Sequence, residues 1–336
     1  SHMYTFILIL IGINFFYIYK YSLLSSIFRL NDKNTNVALL GGPFLYVNFF
    51  LIVIFFFYDP SNLIFNTYFK EFFSDQKSVS YREIFVFFLL PTLFFFMGLY
   101  DDKFNLNAYY RLIASFLIII IFLMVDENFV IRSIKFSGDI DIRLYGLSII
   151  FTTFCVTGLI FAFNMYDGIN LQLGFHLLLV FTFFIFKGIL INFFIIFNIL
   201  ILIFLYQNFR NKIYMGDSGA YFMGALVSII FLKNYNIGVL KLEEIIIISL
   251  IPILDMFRVI LIRIFHGSHP FKKDNLHLHH ILKKRYKKRY LWHIGSFLTL
   301  FNILLLKTIN EVYLILLLAI TVYLMTVIYL SLSEKK

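Results

Sequence analysis

The chain has 336 residues, 61% of them apolar and only 14% charged, with a formal net charge of +10. Soluble domains sit near half apolar and a quarter charged, so these values exclude an ordinary soluble enzyme, a disordered chain and a nucleic-acid binder, and leave a polytopic membrane protein. A single cysteine, Cys155, excludes a disulfide framework and a cysteine-based metal centre. Ser1-His2 ahead of Met3 reads as an expression-tag remnant, and residues 3–332 as one integral membrane domain.

Apolar runs long enough to approach a bilayer's thickness follow in order at 4–28, 43–58, 84–100, 112–125, 144–163, 171–186, 188–206, 219–232, 245–265, 291–306 and 312–330. The sixth and seventh form one stretch interrupted at Lys187-Gly188. As a single helix, residues 173–206 would run roughly 50 Å, too long for a core of about 30 Å, so two short spans joined by a tight turn are predicted. The fold class is therefore an all-α polytopic membrane protein of about eleven transmembrane helices. Between the fourth and fifth spans, Ile131, Ile134, Ile140 and Ile142 alternate with polar residues around Ser137-Gly138-Asp139, which reads as a small β-hairpin at 130–143 as readily as an irregular loop.

Lysine and arginine set the orientation. The loops joining spans 1–2, 3–4, 5–6, 7–8 and 9–10, with the C-terminal tail, carry the excess of Lys and Arg, most of it between spans nine and ten. That set is expected to be cytoplasmic, with the N-terminus outside and the C-terminus inside.

Five polar clusters interrupt the apolar pattern: Asp101-Asp102-Lys103-Phe104-Asn105, Asn164 to Asn170, Met215-Gly216-Asp217-Ser218-Gly219, Pro252 to Arg258, and Asp274 to His280. With eleven spans, the four that fall in loops share one face, as a single active site requires. Carboxylates at a bilayer edge are costly unless paired or bound to a cation, and acids with Asn carbonyls make a hard-oxygen site suited to Mg²⁺ or Mn²⁺. Each cluster also has a plainer meaning. Asp101-Asp102 suits a solvated helix end, and Gly216–Gly219 a turn and N-cap. Asp255 and Arg258, at i and i+3, suit a structural ion pair as well as a functional one. His277, His279 and His280 beside Lys272 and Lys273 read as an anion-binding surface, whereas the run 283–289 reads as a membrane anchor.

Taken together, Gly98 to Leu106, Asn164 to Asn170, Met215 to Gly219 and Pro252 to His280, with Leu40-Gly41-Gly42 ahead of them, resemble in order the motifs of the polyprenyl-phosphate N-acetylhexosamine-1-phosphate transferase family. The run His277-Leu278-His279-His280 is similar to the GlcNAc-1-phosphate transferase branch rather than to the phospho-MurNAc-pentapeptide translocase branch with its three consecutive histidines. The resemblance implies a Mg²⁺-dependent enzyme, with Mn²⁺ able to substitute, of the bacterial inner membrane. Its partners would be a UDP-N-acetylhexosamine, a polyprenyl (undecaprenyl) phosphate and the lipid bilayer, without nucleic acid and compatibly with a homodimer. It places Asp217 and Asn164 as metal ligands, Asp101 and Asp102 at the lipid phosphate with Arg111 holding it, and Asn170 at the uracil. His277, His279 and His280 fall at the sugar diphosphate, and Asp167 and Arg258 also fall on the substrate side. Whether Asp101 acts as nucleophile or base is open. The chain departs from the family where Asn170 replaces a usual Asp, Leu171 a usual Gly, and Ala38 a common Pro. A transporter or lipid flippase is the rival explanation of many spans, but it predicts polar residues near the midplane and internal repeats.

Overall fold

The computed structural model describes residues 2–28, 30, 32, 37–58, 72–75, 78–137, 140–270, 275–287, 293–308 and 311–332. Among them are twelve α-helices: α1 (His2–Phe28), α2 (Gly41–Tyr58), α3 (Tyr81–Phe104), α4 (Ala108–Val125), α5 (Ser148–Tyr166), α6 (Gln172–Phe186), α7 (Ile191–Phe209), α8 (Gly216–Asn236), α9 (Leu242–Phe265), α10 (Leu278–Arg285), α11 (Ile294–Thr308) and α12 (Val312–Leu332). Each apolar run read from the sequence overlaps one of them. Among the described residues, six helices are long and apolar enough to cross a membrane: α3, α4, α5 with its preceding turn, α7, α9 and α12. Many large apolar side chains point outward, among them Leu117, Ile121 and Met124 of α4 and Leu317 and Met325 of α12. The chain is a multi-pass membrane protein built from these helices.

Local chemistry sets the helix limits. Ser80 caps α3 by accepting from Glu83 N, and Asn105 ends it in the left-handed region at φ 51°. Asn107 then caps α4, accepting from Tyr109 N at 3.0 Å. The predicted break between α6 and α7 is present: the chain reverses through Lys187–Leu190, with Gly188 at φ +76°. The predicted hairpin is present too. Strands β3 (Ser133–Lys135) and β4 (Asp141–Arg143) pair antiparallel with Ile134 opposite Ile142. It docks through Lys135 N to Tyr235 Oη and Ser137 N to Glu243 Oε1. A second short ribbon, β1 (Ser74–Asp75) with β2 (Ser78–Val79), has no counterpart among the predicted elements.

Helix α8 is the axis of the bundle. Every residue from Ser218 to Asn234 is buried, and the helix packs most closely on α3 and α5, with α2 alongside. The closest approach to α3 is at Gly98, where an added Cβ would stand 2.4 Å from Ser218 Cα. Only glycine allows the two backbones to meet there. At the other end of α3, Glu83 pairs with Lys233 of α8 and also accepts from Asn128. That pair lies about 27 Å along α3 from Asp101, at roughly 1.5 Å per residue. The polar clusters described next share the opposite end.

Candidate active site

The C-terminal turn of α3 supplies two carboxylates with different partners. Asp101, 3% exposed, accepts from Arg111 Nη1 at 2.6 Å and from Leu106 N at 2.8 Å, with Tyr221 Oη at 3.4 Å. Arg111, one turn into α4, also donates to Tyr221 Oη at 3.1 Å. Asp102 faces the N-terminus of α8: its Oδ1 accepts from Asp217 N at 2.8 Å and its Oδ2 from Ser218 N at 3.1 Å. It is thus an N-cap supplied by a neighbouring helix, favoured by the positive end of the α8 dipole. From the last turn of α5, Asn164 Nδ2 donates to Asp217 Oδ1 at 2.6 Å. Asp167 follows at the end of the same helix, and burial, then the charges of Asp217 and Asp102, raise its carboxyl to about 8. The sequence expectation brought Asp101, Asp102, Asn164, Asp167, Asp217 and Arg111 to one place, and the fold assembles all six. It adds Tyr221, one turn beyond Asp217 on the same face of α8. The i, i+4 spacing from Asp217 was its only signal.

This cluster carries an excess of negative charge. Four carboxylates meet one guanidinium, and that guanidinium is engaged by Asp101. An anionic, all-oxygen set is what a hard divalent cation would compensate, and Asp102, Asp167, Asp217 and the Asn164 side-chain oxygen are the donors present for one. Among the described residues, no group of three or more His, Cys, Asp or Glu side chains is already drawn together around a common point for an ion.

The second cluster is organised by Asp255. Its Oδ2 meets His277 Nδ1 at 2.8 Å, and its Oδ1 accepts from Arg258 Nη2 at 2.7 Å, Leu278 N at 3.0 Å and Tyr323 Oη at 3.2 Å. Arg258 also donates to Leu276 O at 2.7 Å and through Nε to Tyr323. Its guanidinium is therefore held inside the hub that anchors the start of α10. The bond through Nδ1 leaves His277 its Nε2. His279, 1% exposed, lies face to face with His277 at a centroid distance of 5.7 Å, and His280 packs against it at 4.2 Å. Neither ring nitrogen of His279 has a hydrogen-bond partner. Burial, then the neighbouring His280, lowers its pKa to about 3, so it is neutral at physiological pH.

The two clusters touch at Gly168. A Cβ there would stand 1.9 Å from His279 Nε2, so the backbone beside Asp167 runs directly against the imidazole. Asn170 is drawn elsewhere, to Asn208 O at 3.0 Å and Asn211 Oδ1 at 2.5 Å. Asp274, Lys272 and Lys273 lie outside the described residues. An apolar cavity of about 710 Å³ runs between α4, α5, α8 and α9, from Ile134 of the hairpin and Tyr235 at the far end of α8 toward Phe161, whose ring packs on Tyr221. Its lining starts at Leu112, next to Arg111, and includes Phe116, Phe154, Phe161 and Met256.

Residues 84–234 match the family described as glycosyl transferase family 4. That segment encloses the whole acid cluster and stops before the histidines. Similar curated proteins are the undecaprenyl-phosphate alpha-N-acetylglucosaminyl 1-phosphate transferases of Yersinia pestis, Salmonella typhi and Escherichia coli K12. The first is 29% identical over 209 residues, covering 57% of this chain and 56% of that protein. The second is 26% identical over 205 residues, 56% and 55%. The third is 25% identical over 202 residues, 56% and 55%. The chain thus spans about half the length of the curated relatives it matches. The resemblance drawn from the motifs is shown over this part of the chain.

Proposed function

We propose that the protein transfers an N-acetylhexosamine 1-phosphate from a UDP-sugar to a polyprenyl phosphate such as undecaprenyl phosphate, releasing UMP, as the first membrane step of a cell-surface polysaccharide. The observation that carries this reading is the buried acid cluster around the α8 N-terminus, inside the very segment matched by the family. An oxygen of the lipid phosphate attacks the β-phosphorus of the donor. The bond from that phosphorus to the bridging oxygen breaks, and UMP departs with the oxygen. A phosphate monoester is already mostly dianionic at pH 7–8, its second pKa being about 6, so a strong base is unnecessary and positioning dominates. Arg111, held by Asp101, receives the acceptor phosphate, and the apolar cavity that the neighbouring Leu112 lines offers an isoprenoid chain apolar walls. The Nε2 of His277 and the one N–H of the neutral His279 donate to the donor diphosphate from the other side of Gly168. Asp217, Asn164, Asp102 and Asp167 are the groups that would hold Mg²⁺. When bound, the ion neutralises the diphosphate and polarises it toward attack.

The topology that goes with this function has eleven spans, the N-terminus outside and the site at the cytoplasmic face of a bacterial inner membrane. It is supported by the Lys/Arg bias and by the gathering of the clusters at one end of the bundle. The test is release of UMP by the purified chain from a panel of UDP-N-acetylhexosamines, with and without undecaprenyl phosphate, in Mg²⁺ or in EDTA. Release that needs both lipid and metal supports the reading. Release without lipid, or full activity in chelator, refutes it.

A further inference from the structure

Asn170 stands where the family motif carries an acid expected at the nucleoside. We propose that in this chain it is instead a positioning residue, the central member of an asparagine clasp that fixes the Asp167 loop against the segment leading to Asp217. The clasp is built from three asparagines and backbone. Asn170 Nδ2 donates to Asn208 O at 3.0 Å and to Asn211 Oδ1 at 2.5 Å. Because one of those acceptors is a backbone carbonyl, the amide nitrogen of Asn170 must face it; a carboxylate there would meet only oxygen. Asn208, buried at the C-terminus of α7, returns the contact: its Oδ1 accepts from Leu171 N at 2.6 Å, and its Nδ2 donates to Ile213 O at 2.8 Å. Leu171 sits at φ +71° and Asn211 at φ +54°, two left-handed turns that the clasp locks together.

The segment that follows, with its single β-bridge between Ile213 and Ala38, is gripped from its other side. Tyr214 N donates to Ala38 O, Gly41 N to Tyr214 O and Gly42 N to Met215 O. Gly216 then turns the chain at φ +75° into α8, where Asp217 is the second residue. Residues 208–215 are thus held between the 167–171 loop and the 38–42 segment. Asn170 is three residues beyond Asp167, and the segment it clasps leads through Gly216 to Asp217. One asparagine therefore sets the spacing of two carboxylates of the cluster without touching either.

The catalytic part of this inference rests on the transferase reading; the clasp itself does not. The test uses the full chain in detergent micelles with Asn170→Asp, Asn211→Lys, the pair of both, and the Asn170→Ala, Asn211→Ala cycle. Thermal midpoints come first: the two alanine changes should be markedly non-additive, and N170D should lower Tm with N211K restoring at least half of the loss. In turnover with a UDP-N-acetylhexosamine, N170D should cut kcat at least tenfold with donor KM within twofold, and N211K should recover it. Additive midpoints, or an N170D effect confined to donor KM and insensitive to position 211, would make Asn170 a substrate contact and overturn the proposal. A wild-type chain inactive on every donor but with non-additive midpoints would refute the transferase reading and leave the clasp standing.

Discussion

His279 and Asp217 show how far single residues in this site depart from their solution behaviour. His279 is buried, neutral and without a partner, and burying two polar nitrogens unbonded is costly unless something arrives to use them. A hydrogen bond from it to a charged diphosphate oxygen contributes about 1.5–3 kcal/mol. His279→Ala should therefore slow turnover roughly 10- to 150-fold, at about 1.4 kcal/mol per decade. Its pKa near 3 lies below the usual 6.5, so the folded state binds fewer protons than the unfolded one. The stability this gives is fully present above pH 6.5 and is lost as pH falls toward 3. Measured between pH 6.5 and 4.5, Tm should fall less in His279→Gln than in wild type; parallel declines would show that His279 is not the neutral buried group. Asp217→Asn keeps shape but removes a charge from the cluster. It should abolish turnover while the chain stays folded by its far-ultraviolet circular dichroism, and retained activity would remove Asp217 from the chemistry.

Among the elements, α8 carries the arrangement, because its N-terminus is where Asp102, Asn164 and the clasped segment converge. Its register against α3 depends on Gly98. A side chain there must displace backbone, not a flexible tip, so Gly98→Val should lower stability by at least the 1–3 kcal/mol usual for overpacking. Gly158 of α5 is the internal control: nothing lies within 4 Å of its absent Cβ, and Gly158→Ala should be neutral or stabilising by about 0.5–1 kcal/mol. Equal thermal losses in the two variants would contradict the packing described. The helices were legible because each announces itself by an apolar run, and Lys187-Gly188 marked its turn. The Ile134–Ile142 pair was legible by alternation. Helix α10 was not: its eight residues hold only Leu278, Ile281 and Leu282 as apolar positions, and the sequence offered a loop of histidines with a basic anchor. One of those basic residues, Arg285, donates to the carbonyls of Tyr329 and Leu330 near the end of α12. The acid cluster was legible because acids are rare in so apolar a chain. The asparagine clasp and the capping role of Asp102 were not, since both are contacts between segments distant in sequence that only the fold brings together.

For the whole molecule, the central relation is between parity and chemistry. In the proposed eleven-span topology the loops that follow α3, α5, α7 and α9 lie on one side, and in the fold the acid cluster, the clasp and the histidine hub share one end. The buried ion pair Glu83–Lys233 and the half-buried pair Glu244–Lys187, both away from the site, belong to helix ends and turns of the opposite set. Single cysteines at Asn105, Arg210 and Lys284 should resist an impermeant thiol reagent in intact cells, and one at Asn236 should react. Labelling of Arg210 from outside together with protection of Asn105 would break the shared face.

Transfer of the β-phosphorus tests the function itself. With β-³²P-labelled UDP-N-acetylglucosamine or its epimer, undecaprenyl phosphate and Mg²⁺, the label should pass into the organic phase as lipid, with UMP as the water-soluble product and no label on the protein. Label left in UDP, or held on the protein when lipid is withheld, would contradict direct transfer of the sugar phosphate between the two substrates.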